Sequence, residues 1–156
     1  MDAQKISNTL IGVAGVHHVV CELSRRNLIA LPTTRESAGY DVIVATTDGK
    51  RHANIQVKTS SHQRVRFWPV ARKSTDFRTG ADDYYVFLEG LGQNLEIHVY
   101  LLKGAEVLKE IKSRYEEIEK KRPFSYCLYV DDDKRKKWAA KWDNWSLRSL
   151  GRQGPA

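Results

Sequence analysis

Residues 39–61 read GYDVIVATTDGKRHANIQVKTSS, and the reading of this stretch decides the fold. Tyr40–Thr46 alternates and is rich in β-branched residues, which predicts a strand. Asp48-Gly49 is a strong two-residue turn signal, and His52–Lys58 returns as the partner strand. Three polar residues sit at one end of this hairpin where pairing alone does not require them. Asp41 opens the first strand, and Gln56 and Lys58 close the second. Gln56 and Lys58 are two apart, so they project from the same face. A carboxylate, an amide oxygen and an ammonium gathered there can hold a divalent cation and a phosphate.

Upstream, residues 7–26 (SNTLIGVAGVHHVVCELSRR) predict a helix capped by Ser7 or Asn8. Leu10, Val13, Val16 or His17, Val20 and Leu23 or Leu28 follow a roughly helical period. The small residues Ala14 and Gly15 let such a helix lie close to a sheet. Glu22 falls in the last turns, where the helix dipole disfavours an acid. It is therefore a candidate fourth member of the polar group, the alternative being a surface pair with Arg25 or Arg26. His17 is expected to be buried or half-buried. Leu28–Leu31 is a short apolar strand stopped by Pro32.

Downstream, Ser60 and Ser61 either contact a phosphate or simply end the strand. Arg64, Arg66, Arg72, Lys73 and Arg78 follow, with Trp68 among them. These cations suit a phosphate backbone, and an aromatic can stack on an unpaired base; the alternative is a solvated loop with Trp68 in the core. Asp83–Leu88 and Leu95–Leu102 read as strands, Ala105–Lys121 as an amphipathic helix, and Ser125–Val130 as a further short strand. Lys134–Leu150 reads as a last helix, with Trp138, Trp142 and Trp145 as a core stripe or a dimer contact.

The predicted class is α/β: a central mixed sheet of four to five strands flanked by helices. One domain is expected over residues 1–150, with 151–156 as a flexible tail. The composition of the 156 residues, 41% hydrophobic and 29% charged, excludes a disordered chain. No apolar run approaches the roughly 18 residues needed to span a bilayer, so no membrane partner is expected. The opening MDAQKISNTL has no basic region followed by a long apolar run. Cys21 and Cys127 are expected to be buried free thiols, which together with the missing leader pattern implies a reducing cytoplasm. The net charge of +7 and pI of about 9.5 favour a polyanionic partner.

Glu22, Asp41 and Gln56-Val57-Lys58, in that order, resemble the PD-(D/E)XK nuclease superfamily, which includes many restriction endonucleases and Holliday-junction resolvases. The resemblance covers about the first 60 residues motif by motif, and the later elements only in order. It implies an αβββαβ restriction-endonuclease-like core and Mg²⁺- or Mn²⁺-dependent cleavage of DNA. It also implies a metal held by Glu22, Asp41, Gln56 and the Val57 carbonyl, with Lys58 as the catalytic residue that stabilises charge on the phosphate or helps position the water. Tyr40 stands where the motif often has Pro, and Gln56 stands where it usually has an acid, which removes one negative charge. A homodimer is expected, because a small chain cutting both strands normally needs two copies. A nuclease fold that binds DNA or a protein without cutting is the alternative, and a small regulatory factor is a third class.

Overall fold

The computed structural model describes residues 6–34, 39–71, 77–92, 95–118 and 126–145, with backbone alone over 114–118. The expected DNA contacts Arg72 and Lys73, the end of the last helix beyond 145 and the tail 151–156 lie outside the described residues.

Helix α1 spans Asn8–Arg25, and the Ser7 hydroxyl caps it by accepting from the Leu10 N–H. Asn27 ends it in the left-handed region, with φ 61°. Strand β1 (Leu28–Pro32) pairs antiparallel with β2 (Val42–Thr46), and β2 pairs antiparallel with β3 (His52–Thr59). The β2–β3 turn carries Gly49 at φ 69°, a backbone shape that glycine adopts without a Cβ penalty. The Asp48 carboxylate braces it by accepting from the Thr46 hydroxyl at 2.6 Å and the Lys50 N–H at 3.1 Å.

The chain then leaves the sheet. Strand β4 (Phe67–Ala71) pairs with β7 (Tyr126–Tyr129) in a separate two-stranded sheet. It returns as β5 (Asp83–Glu89), parallel to β3, and β6 (His98–Lys103) closes the edge antiparallel to β5. The main sheet thus has the order β1-β2-β3-β5-β6 and is mixed. Helix α2 (Gly104–Ile118) follows β6, and α3 (Asp132–Asp143), capped by Asp131, follows β7. The architecture is α/β, a mixed five-stranded sheet flanked by helices.

Alternation along the strands builds two cores, one on each face. On one face Val19 and Leu23 of α1 pack on Val42, Val44, Ala53, Ile55 and Val57. On the other, Val107 and Ile111 of α2 pack with Trp68, Tyr85, Phe87 and Leu128. Helix α3 serves both, because Trp142 joins the first core and Trp138 the second. Trp138 and Trp142 are therefore core residues, 2% and 4% exposed, and are not available as the dimer contact that the sequence suggested. The cysteines also differ from expectation: Cys21 is exposed and Cys127 half-buried. Among the described residues no helix is long and apolar enough to cross a membrane.

Candidate functional site

Asp41 lies in the bend that leads into β2, and three hydrogen bonds fix it. Its N–H donates to the Ile55 carbonyl at 2.9 Å, and its carbonyl accepts from the Thr33 N–H at 3.0 Å. Its carboxylate Oδ2 accepts from the Val57 N–H at 2.7 Å. The carboxylate is thereby held against the segment of β3 that carries Gln56 and Lys58. Ala53, Ile55 and Val57 face the core beneath α1, so Asn54, Gln56 and Lys58 share the opposite face.

Lys58 is half-buried, and its parallel neighbour in the sheet is Phe87. Burial pushes its ammonium below the ordinary lysine range, against the pull of the Asp41 carboxylate, which raises it. The two groups feel each other's charge. One end of the hairpin thus brings together Asp41, Gln56, the Val57 backbone and Lys58.

The entry to this end is braced from below. Thr33 Oγ1 donates to the Tyr40 carbonyl, and the Tyr40 hydroxyl reaches Asp83 Oδ2 at 3.4 Å. Asp83 also accepts from Asn54 Nδ2 at 3.1 Å and from the Gly80 N–H at 2.9 Å. Arg78 packs its guanidinium 5.5 Å from the centre of the Tyr40 ring. A Cβ on Gly39, itself at φ 85°, would collide with that guanidinium. Arg78 is half-buried and built into this brace, unlike the solvent-facing DNA contact that its sequence context suggested.

Helix α1 does not bring Glu22 to the hairpin end. Glu22 pairs with Arg25 at 2.9 Å, the alternative that the sequence left open. A cavity of about 220 Å³ beside Asp41 and Val57 is lined from α1 by Gly12, Val13, Val16 and His17, and from the β1 end by Pro32 and Thr33. Five residues at about 100° each put Glu22 about 140° round the helix from His17, and roughly 7.5 Å along it. His17, expected to be buried or half-buried, is exposed. The helical stripe Gly12, Val13, Val16, His17 was the signal for this face. Among the described residues no three His, Cys, Asp or Glu side chains gather into a metal-holding group.

The segment after β3 is pinned. The Ser60 hydroxyl accepts from the His62 N–H at 3.0 Å, so it turns the chain at the strand end. The Gly90 N–H donates to the His62 carbonyl, and the Val65 N–H donates to Glu89 Oε2 at 2.8 Å. Arg64 and Arg66 are exposed on this pinned segment, and Arg64 takes a left-handed φ of 54°. Trp68 is core, 3% exposed and edge-on to Phe87. The exposed aromatic of the strand is Phe67, 55% exposed and 5.3 Å from the Tyr129 ring.

Sequence reasoning missed one buried charge system. Glu89, 1% exposed on β5, accepts from the Tyr100 hydroxyl at 2.6 Å and pairs with Arg135 of α3. Arg135 also donates to the Val65 carbonyl at 2.7 Å, so the system ties β5, β6, α3 and the basic segment together. Burial raises the Glu89 carboxyl, but the bonds from Tyr100, Arg135 and Val65 outweigh it and leave the group below its ordinary value. No protein-family model matches the chain, and neither a curated protein nor a solved structure matches it.

Proposed function

We propose that the chain is a metal-dependent endonuclease that hydrolyses phosphodiester bonds in DNA, on the PD-(D/E)XK plan. The observation that carries this is the Asp41 carboxylate bonded to the Val57 N–H, with Gln56 and Lys58 flanking Val57. One Asp41 oxygen is engaged by that bond, which leaves Oδ1 to face a cation. The Gln56 amide oxygen and the Val57 carbonyl are hard donors that suit Mg²⁺ or Mn²⁺. A bound cation supplies charge neutralisation at the phosphate and an acidified water. Lys58 holds a positive charge beside the phosphate, and its lowered proton affinity suits it to pass a proton at Nζ. Exposed Arg64 and Arg66 and the net charge of +7 favour a phosphate backbone, and exposed Phe67 can stack on a base.

Supercoiled, linear and branched DNA incubated with the protein in Mg²⁺ or Mn²⁺ tests the reading. Cleavage is expected, and Asp41→Ala and Lys58→Ala are each expected to lower it at least a hundredfold. No cleavage of any substrate, or cleavage indifferent to both variants, sinks the proposal.

A second reading is favoured by one observation: Asp41 is the only carboxylate of the expected set beside Gln56, because Glu22 is tied to Arg25. A site this poor in negative charge also suits a nuclease-like fold that holds DNA without cutting. That reading requires salt-dependent DNA binding that is unchanged in Asp41→Ala. In either case we propose a homodimer through the outer face of β1 and β2. Ile29, Leu31 and Ile43 are 43%, 58% and 43% exposed there, and Leu31 and Ile43 lie directly opposite across the strands.

A further inference from the structure

We infer that the molecule carries a second site, a pocket for a small aromatic monocarboxylate between strands β5 and β6 and the end of α3. The pocket shares no residue with the Asp41 hairpin end and does not rest on the nuclease reading. A cavity of about 370 Å³ lies there, at the lower end of the roughly 300–1,000 Å³ of small-molecule pockets. Tyr84, Leu101 and Lys103 line it from the sheet, Glu106 from α2, Lys141 from α3 and Trp145 from just beyond α3. Tyr84 and Lys103 are direct partners across β5 and β6, so they share a face, and Leu101, two residues back, joins them. The Tyr84 and Trp145 rings meet edge to face with centroids 5.4 Å apart. Two polar atoms in these aromatic walls lack partners. Tyr84 is 4% exposed, and among the described residues neither its hydroxyl nor the Trp145 indole N–H completes a hydrogen bond. The indole N–H does act on the hydroxyl oxygen, but that leaves the Tyr84 proton without an acceptor. A buried donor in this state is a standing cost that a ligand acceptor removes.

The charges on the lining identify the acceptor. Glu106 is already matched, because it accepts from the Lys103 N–H at 3.0 Å and pairs with Lys141. Burial raises its carboxyl, but the bonds from Lys141 and the Lys103 N–H outweigh it and leave the group below its ordinary value. The Lys103 ammonium, by contrast, is exposed and has no ion pair among the described residues. One uncommitted cation matches a monoanion, whereas a dianion would leave a charge uncompensated against apolar walls. A carboxylate only accepts, so it can take the Tyr84 O–H and the Lys103 ammonium together, and bonds to an ionised acceptor are the strong ones. Lys103 is long and exposed, so it can swing aside to admit the ligand and close over it. The Tyr84 and Trp145 rings and Leu101 then cover a flat apolar body.

Titration of the isotope-labelled full chain with naphthoate, and with uncharged naphthamide, tests this by the indole N–H resonances in NMR spectra. Trp145→Phe identifies the Trp145 resonance among the four tryptophans. Naphthoate is expected to saturate with a Kd below about 1 mM, to move that resonance, and to bind at least tenfold more tightly than naphthamide. Lys103→Met is expected to lose the tenfold for the acid and to leave the amide unchanged. Tyr84→Phe is expected to weaken the acid at least fivefold while keeping or raising the urea midpoint, because the hydroxyl it removes has no acceptor in the free protein. Asp41→Asn is expected to bind naphthoate as wild type does, so this site and the nuclease site stand or fall separately. No saturable binding, equal affinity for acid and amide, an unmoved Trp145 resonance, or acid affinity unchanged in both Lys103→Met and Tyr84→Phe overturns the site. A Tyr84→Phe protein with a lower midpoint and unchanged naphthoate affinity makes the hydroxyl structural and overturns its role.

Discussion

The Asp41 carboxylate accepts a 2.7 Å hydrogen bond from the Val57 N–H, so the acid and the Gln56-Val57-Lys58 segment are locked in register across two strands. The bond has a structural and a chemical consequence that different substitutions separate. Asp41→Ala leaves the half-buried Val57 N–H without its acceptor, and losing a bond to a charged group costs about 1.5–3 kcal/mol. Asp41→Asn keeps an acceptor oxygen at the same reach and is expected to cost less than about 1 kcal/mol. It nevertheless removes the negative charge that acts on Lys58. Urea denaturation should therefore rank the variants wild type, Asn, Ala, whereas Mn²⁺ titration should find both unable to bind. Asp41→Asn as damaging to stability as Asp41→Ala would mean that charge, and not the hydrogen bond, holds the strands.

Lys58 carries a positive charge in a half-buried place, and burial lowers its proton affinity in the folded state. The sign of the pH effect follows. Between the folded value and 10.5, the ordinary lysine value, the unfolded chain binds more protons at this site than the folded one. The contribution of Lys58 to stability is therefore unfavourable at neutral pH, and it is relieved as pH rises through the folded value toward 10.5. Lys58→Met keeps the volume and removes the charge, so it should be as stable as wild type at pH 7, to within about 1.5 kcal/mol, or more stable. The stability difference between the two should shrink on the alkaline side. Urea midpoints of both proteins across that range measure it, and a constant difference would place the Lys58 ammonium in open water. DNA cleavage by Lys58→Met should be lost at every pH.

How much of this was legible before the structure depends on the range of the interactions. The hairpin was legible because its signals are local: β-branched alternation, Asp48-Gly49, and the i, i+2 spacing of Gln56 and Lys58. The helix over Asn8–Arg25 and its Ser7 cap were legible for the same reason. The rotational setting of that helix was not. Val19 and Leu23 fix it by packing on Ile55 and Val57, and that choice carries Glu22 to one flank and His17 to the other. Dipole reasoning marked Glu22 as misplaced, but an i, i+3 partner in Arg25 satisfied it locally. The parallel β3–β5 pairing and the separate β4–β7 sheet were out of reach, since each joins segments far apart in the chain. Trp138 and Trp142 read equally well as core or interface, and only the position of α3 between two cores decides.

Among the described residues, the Glu89–Tyr100–Arg135 system should be the most mutation-sensitive polar group. Arg135→Met leaves the Glu89 carboxylate buried without its cation, and breaking a buried pair this way costs about 3–5 kcal/mol. Tyr100→Phe removes one donor and should cost about 1–3 kcal/mol. The pH signs are opposite for the two titrating partners. Glu89 sits below its ordinary value of 4.5, so its contribution is present above that value and lost as pH falls through the folded one. Burial, reinforced by the bond to Glu89, pushes the Tyr100 hydroxyl up to about 12. Its contribution is present below 10.0 and lost between 10.0 and about 12. Tyr100→Phe should therefore flatten the alkaline arm of the stability profile and leave an acid-side loss from Glu89. Urea midpoints across the full range test both arms, and an unchanged alkaline arm would assign that loss to other tyrosines.

Two glycines on α1 should respond to the same substitution with opposite signs. Gly15 faces the sheet, and a Cβ there would run into Thr59 Cγ2 at the end of β3. Gly12 has nothing within 4 Å of such a Cβ. In a helix interior alanine is favoured over glycine by about 0.8–1 kcal/mol. That gain should appear almost whole in Gly12→Ala. In Gly15→Ala it is opposed by overpacking of about 1–3 kcal/mol, because the helix must lift from β3 or Thr59 must shift. Gly15→Ala should thus lower the urea midpoint, whereas Gly12→Ala should raise it. A Gly15→Ala protein at least as stable as wild type would mean that Thr59 yields and the helix stays in place.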